Sequence, residues 1–98
     1  MLVQTYKTGD TVSIKLTSGE EIVARVTEEK ADSWIVHKPL TLMQGPNGLV
    51  LGQWMITCDP AQDVSIPKSN VMVITKTLEE HAKRYIEATT GIKTWVIN

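Results

Sequence analysis

Two histidines, one cysteine and a scatter of carboxylates are the side chains in this 98-residue chain with catalytic potential. A hydrolytic or transfer reaction needs a nucleophile, a base and a group to orient the base, all within hydrogen-bond reach. His37 and His81 fall in separate apolar-patterned stretches, with no serine or cysteine in a nucleophile motif beside either. Asp59 follows Cys58 directly, a pattern that reads as a strand end rather than a reacting pair. Gly45-Pro46-Asn47-Gly48 is the one glycine-rich loop, and it lacks the Lys-Ser/Thr step that grips phosphate and magnesium. Cys58 has no cysteine partner and no histidine at zinc spacing. A non-catalytic protein without metal or cofactor is expected, in a reducing, cytoplasmic setting where the lone thiol is buried.

Composition narrows the classes further. Net charge is −1 with 21% charged residues, which argues against a protein that coats DNA through a broadly basic face. Apolar content is 42%, ordinary for one globular core, and no apolar run approaches the roughly 18 residues of a membrane helix. Met1 to Asp10 lacks the apolar centre and small-residue cleavage site of a signal peptide.

The elements that must position any site are mostly strands. From Asp10 to Glu28, Val12, Ile14 and Leu16 alternate with polar residues, then Ile22, Ala24 and Val26 do the same after Ser18-Gly19. A period of two with a glycine turn predicts an antiparallel hairpin with one wet face. A third strand is expected from Trp34 to Met43, edged or bent at Pro39, which has no N–H to give. Asn47-Gly48 predicts a second hairpin into a long strand from Leu49 to Cys58, with Gly52 as a bulge or sharp bend. Val64 to Asn70 reads as extended or turn, and Val71 to Ile74 as a short strand.

The period then changes. Thr77 and Glu80 have the spacing of a capping box, and Leu78, Ala82, Tyr85, Ile86 and Thr89 fall on one helical face. Gly91 ends the helix, and Ile92 to Ile97 is apolar enough to dock or add a strand, as are Leu2, Val3 and Tyr6. The expectation is a single mainly β domain over residues 1–98. A five-stranded, strongly bent open barrel spans about 10–76, one C-terminal helix about 77–90, and a tail 91–98. Such a barrel leaves two edges to cover. Leu49 to Ile56 and Val71 to Ile74 are too apolar to stay wet, so edge-to-edge self-association is expected.

Three stretches resemble the Sm-like family of Sm, Lsm and Hfq proteins. Val12 to Val26 looks like its first motif, a strand, a glycine turn and a second strand. Asp32-Ser33-Trp34-Ile35-Val36 looks like the start of its third strand. Ile66-Pro67-Lys68-Ser69-Asn70-Val71 stands where its second motif lies, with Ser69 in place of the usual glycine and Pro67 as an addition. The helix follows the barrel, whereas family members usually carry it in front. In overall style the chain is similar to small Sm-like proteins of marine phages, which would place it in the host cytoplasm.

The resemblance implies a homo-oligomeric ring, pentamer to heptamer, joined through edge strands. It implies binding of single-stranded RNA, or DNA, by two loops at the pore: Asp32, Ser33 and Trp34 from one, Lys68, Ser69 and Asn70 from the other. Trp34 would offer a face to a base, Lys68 a cation to phosphate, and Ser69 and Asn70 hydrogen bonds to base edges. The plainer alternative makes Trp34 core, since Val36, Leu40 and Leu42 are expected on its face, and leaves Lys68 solvated and Ser69-Asn70 a turn. A structural or assembly module that keeps the ring without a nucleic-acid site is the competing function. A small enzyme subunit or an SH3-like peptide-binding domain also stays open. An OB barrel fits less well, because the tight Gly45–Gly48 turn leaves no room for its usual helix.

Overall fold

A computed structural model describes residues 9–90. It contains six antiparallel strands in one sheet, followed by one helix. Strand β1 (Thr11–Leu16) and strand β2 (Glu21–Glu29) form the expected hairpin, with Ile14 opposite Ile22. Gly19 sits at φ 102° in its turn, a conformation that costs an L-residue dearly. Val12, Ile14, Leu16, Ile22, Ala24 and Val26 all enter the core, joined by Trp34, Val36 and Ile66.

Strand β3 (Ser33–Gly45) is the long spine. It bends at Lys38-Pro39, where Lys38 takes φ 50°. The bend explains why six strands form where five are expected. On the side away from β2, strand β4 (Gly48–Gln53) pairs with β3 only as far as Leu40↔Gln53. Beyond it, Pro39 offers no N–H and Lys38 turns the backbone away, so the ladder stops. Pairing resumes at His37↔Asp63 with strand β5 (Asp63–Pro67). The strand expected from Leu49 to Cys58 therefore ends at Gln53, and residues 54–62 leave the sheet. Asp59 closes that excursion, its carboxylate accepting from Ala61 N–H and its carbonyl from Gln62 N–H.

A 3-10 turn at Lys68–Asn70 connects β5 to strand β6 (Val71–Lys76), which pairs with β1. The strand order is β4-β3-β2-β1-β6, with β5 also on β3, so β4 and β5 lie along one edge of the sheet and β6 forms the other. The ribbon 63–76 thus leads from β3 round to β1 across the turn. Gly52 causes no register shift and is not the expected bulge. It makes room instead, because a Cβ there would strike the end of the Met43 side chain.

Helix α1 (Glu79–Thr90) starts later than expected. The Leu78 carbonyl accepts from His81 and Ala82 N–H, so Leu78 holds the cap position. Thr77 is diverted from a capping box by a 2.8 Å hydrogen bond between its hydroxyl and that of Ser13 on β1. Leu78 and Ile86, expected on the buried face, are 69% and 43% exposed. The helix is anchored by Tyr85, fully buried beside Arg25 on the sheet face opposite the core. That second buried layer also explains Val23, expected among polar neighbours yet buried, and facing Leu40 across the ladder. Among the described residues no helix is long and apolar enough to cross a membrane. The expectations for Leu2, Val3, Tyr6, Gly91 and Ile92 to Ile97 lie outside the described residues.

Candidate nucleic-acid interface

The two loops singled out in the sequence are neighbours. Strands β3 and β5 place Ser33 opposite Pro67 and Trp34 opposite Ile66. At the end of that ladder Lys68 N–H donates to the Asp32 carbonyl at 2.9 Å. On the far flank Thr17 N–H donates to the Asn70 carbonyl at 2.9 Å, which ties the 3-10 turn to the β1–β2 hairpin. Asp32, Ser69 and Asn70 are exposed, and Ser33 and Lys68 are half-buried.

Trp34 and Lys68 are already committed to intramolecular partners. Trp34 is 8% exposed and belongs to the core, as the plainer reading has it. Val36 shares that core, but Leu40 does not share its face. After the bend Leu40 pairs with Val23 on the opposite face of the sheet. Lys68 Nζ lies 5.0 Å from the Trp34 ring centroid and 2.6 Å from Glu29 Oε2. The cation is thus shared between an aromatic face and a carboxylate before any ligand arrives. Glu28, Glu29 and Asp32 make the surrounding β2–β3 turn acidic, with Lys30 as its one base.

Sequence reasoning missed a second feature beside this loop. A cleft of about 280 Å³ opens between the β1–β2 turn, Trp54 and Asn70, over Leu16 and Ile66. Trp54 Nε1 donates to Glu20 Oε2 at 3.2 Å, and Ser18 Oγ donates to Glu20 Oε1 at 2.8 Å. Trp54 and Glu20 are too far apart in sequence to signal one another. A separate cleft of about 220 Å³ lies between Lys38, Met55, Cys58 and Thr89. Lys38 Nζ there donates to the Thr89 carbonyl at 2.7 Å and caps the helix C-terminus.

His37 Nδ1 and Asp63 Oδ1 lie 2.6 Å apart, and Thr27 Oγ1 donates to Asp63 Oδ2 at 3.4 Å. The pair ties β3 to β5 where their ladder begins. Among the described residues no three His, Cys, Asp or Glu side chains form a metal-binding group. The outer strands carry exposed apolar side chains, Met43, Leu49 and Val50 on the β3–β4 arm and Met72 and Val73 on β6. No family model matches the chain, and no curated protein matches it.

Proposed function

We propose that the chain is a non-catalytic Sm-like barrel that assembles into a homo-oligomeric ring and binds single-stranded nucleic acid, RNA before DNA. The barrel reading treats β4 and β5 as one fourth strand, split where β3 bends. The observation that carries the ring is the pair of unlike apolar edges. Leu49 and Val50 on β4 are 50% and 46% exposed, and Met72 and Val73 on β6 are 64% and 52% exposed. Pairing β4 of one protomer with β6 of the next satisfies both edges, is heterologous, and closes when repeated. Light scattering tests it: a single ring-sized species is expected, and a clean monomer at micromolar concentration removes the proposal.

The nucleic-acid part rests on Asp32, Ser33, Lys68, Ser69 and Asn70 meeting at one end of the β3–β5 ladder. A ring repeats that small set around its axis, so weak interactions add. The Lys68–Glu29 pair favours a second reading, an assembly module with the ring but no nucleic-acid site. Fluorescence anisotropy with short oligo(U), oligo(C) and oligo(A) at low salt separates the two. Binding that weakens with salt supports the first, and none at low salt leaves the second.

A further inference from the structure

We infer that the cleft beside Trp54 is the base-binding pocket of this protein, with the indole as the stacking wall and Glu20 as the reader of an exocyclic amine. The inference rests on the nucleic-acid reading above and assigns it a site outside the two loops. Among the described residues there are three aromatic side chains, and two of them present no face. Trp34 is 8% exposed under Lys68, and Tyr85 is fully buried beneath the helix. Trp54 is half-buried, packs against the core and lines the cleft. Stacking needs a ring supported behind and free in front.

The indole is held in place. Its N–H is fixed on Glu20 Oε2, and Ser18 Oγ fixes the other carboxylate oxygen. A carboxylate oxygen has two acceptor positions, so each keeps one for a ligand donor. Leu16 and Ile66 make an apolar floor, and Asn70 puts an amide, donor and acceptor both, on the rim. The volume of about 280 Å³ falls just under the roughly 300–1,000 Å³ of drug-sized sites. One flat heterocycle suits it better than a folded peptide. Lys68 lies two residues before Asn70 on the same 3-10 turn.

The carboxylate also sets a preference. It accepts hydrogen bonds and gives none, so the bases with an exocyclic amine, adenine, cytosine and guanine, are favoured over uracil, whose only base-edge donor is N3–H. A proline-rich peptide, the other ligand an aromatic groove accepts, is disfavoured by the lone indole ridge.

Anisotropy with labelled oligo(A), oligo(C) and oligo(U) tests the assignment on the intact oligomer. Trp54→Leu should weaken oligo(A) about tenfold or more, and Trp54→Phe should keep most of the affinity. Light scattering and circular dichroism should be unchanged in both. Glu20→Gln, an exposed change that leaves the core alone, should erase the preference for oligo(A) and oligo(C) over oligo(U). It decides the matter if Trp54→Leu does not fold. Wild-type binding that survives both Trp54→Leu and Glu20→Gln overturns this inference and leaves the nucleic-acid reading standing. Absence of wild-type binding at low salt overturns that reading and this one together. Tighter binding of a proline-rich decapeptide than of any oligonucleotide also overturns it.

Discussion

The Tyr85 hydroxyl lies 2.7 Å from the Lys38 carbonyl oxygen and 2.8 Å from that of His37, and its one proton is shared between them. Lys38 is the only non-glycine residue at positive φ among the described residues. One buried phenol therefore holds the bend in β3, and with it the break between β4 and β5.

Tyr85→Phe should destabilise the fold by about 1–3 kcal/mol in urea unfolding, since the two carbonyls lose the one donor they share. Lys38→Gly removes the left-handed strain. In a double-mutant cycle the tyrosine change should therefore cost less in the Lys38→Gly background. Additive effects would show that the hydroxyl and the bend are unconnected.

Stability should fall in alkali through the same residue. Burial pushes the Tyr85 phenol from 10.0 up to about 12, partly offset by nearby Arg25. A folded value above the unfolded one means that the native state holds the proton longer. The contribution is intact below pH 10 and is lost as pH rises through 12. Wild type minus Tyr85→Phe should isolate it, at about 2–3 kcal/mol across that window. A difference that does not change with pH would count against the buried neutral phenol.

Charge on either outer strand should stop assembly. Leu49→Lys on β4 and Val73→Lys on β6 alter exposed positions, so each monomer should keep its circular dichroism and melt within a few degrees of wild type. Light scattering should report monomers for both. Oligomers that persist in both variants would mean that neither edge is the seam.

Lys68→Ala and Glu29→Gln should move nucleic-acid affinity in opposite directions. The first removes the cation and should lower the salt slope by about 0.7 for each phosphate that Lys68 neutralises. The second releases Lys68 from its 2.6 Å carboxylate partner and should raise affinity several-fold at low salt. Anisotropy titrations across salt measure both. Equal, salt-independent curves would remove Lys68 from the site.

The β1–β2 hairpin is legible in the sequence because period-two patterning is local, and Gly19 alone suffices to turn it. Pro39 also announces its bend. The consequence of that bend is not legible, because it appears on β4, whose own residues from Leu49 to Cys58 read as one continuous strand. The capping box fails for a similar reason: Thr77 is claimed by Ser13, 64 residues away. The site shows the same division. Asp32 and Lys68 are placed from their loops, and strand pairing does bring them together. Trp34 is core, whereas Trp54 and Glu20 meet only because residues 54–62 leave the sheet.

The ribbon from β5 to β6 gives the chain an order of completion. β1 gains its second neighbour only when Val71–Lys76 arrives, long after β1 itself. During synthesis the ribosome has released the hairpin well before that strand emerges, and for this interval the free side of β1 is an unpaired edge. In the proposed ring the same strand, once seated on β1, would offer its other side to a neighbouring copy. Assembly of that ring would wait for the last strand of the sheet, and an earlier encounter between nascent chains would exchange β6 instead of pairing it.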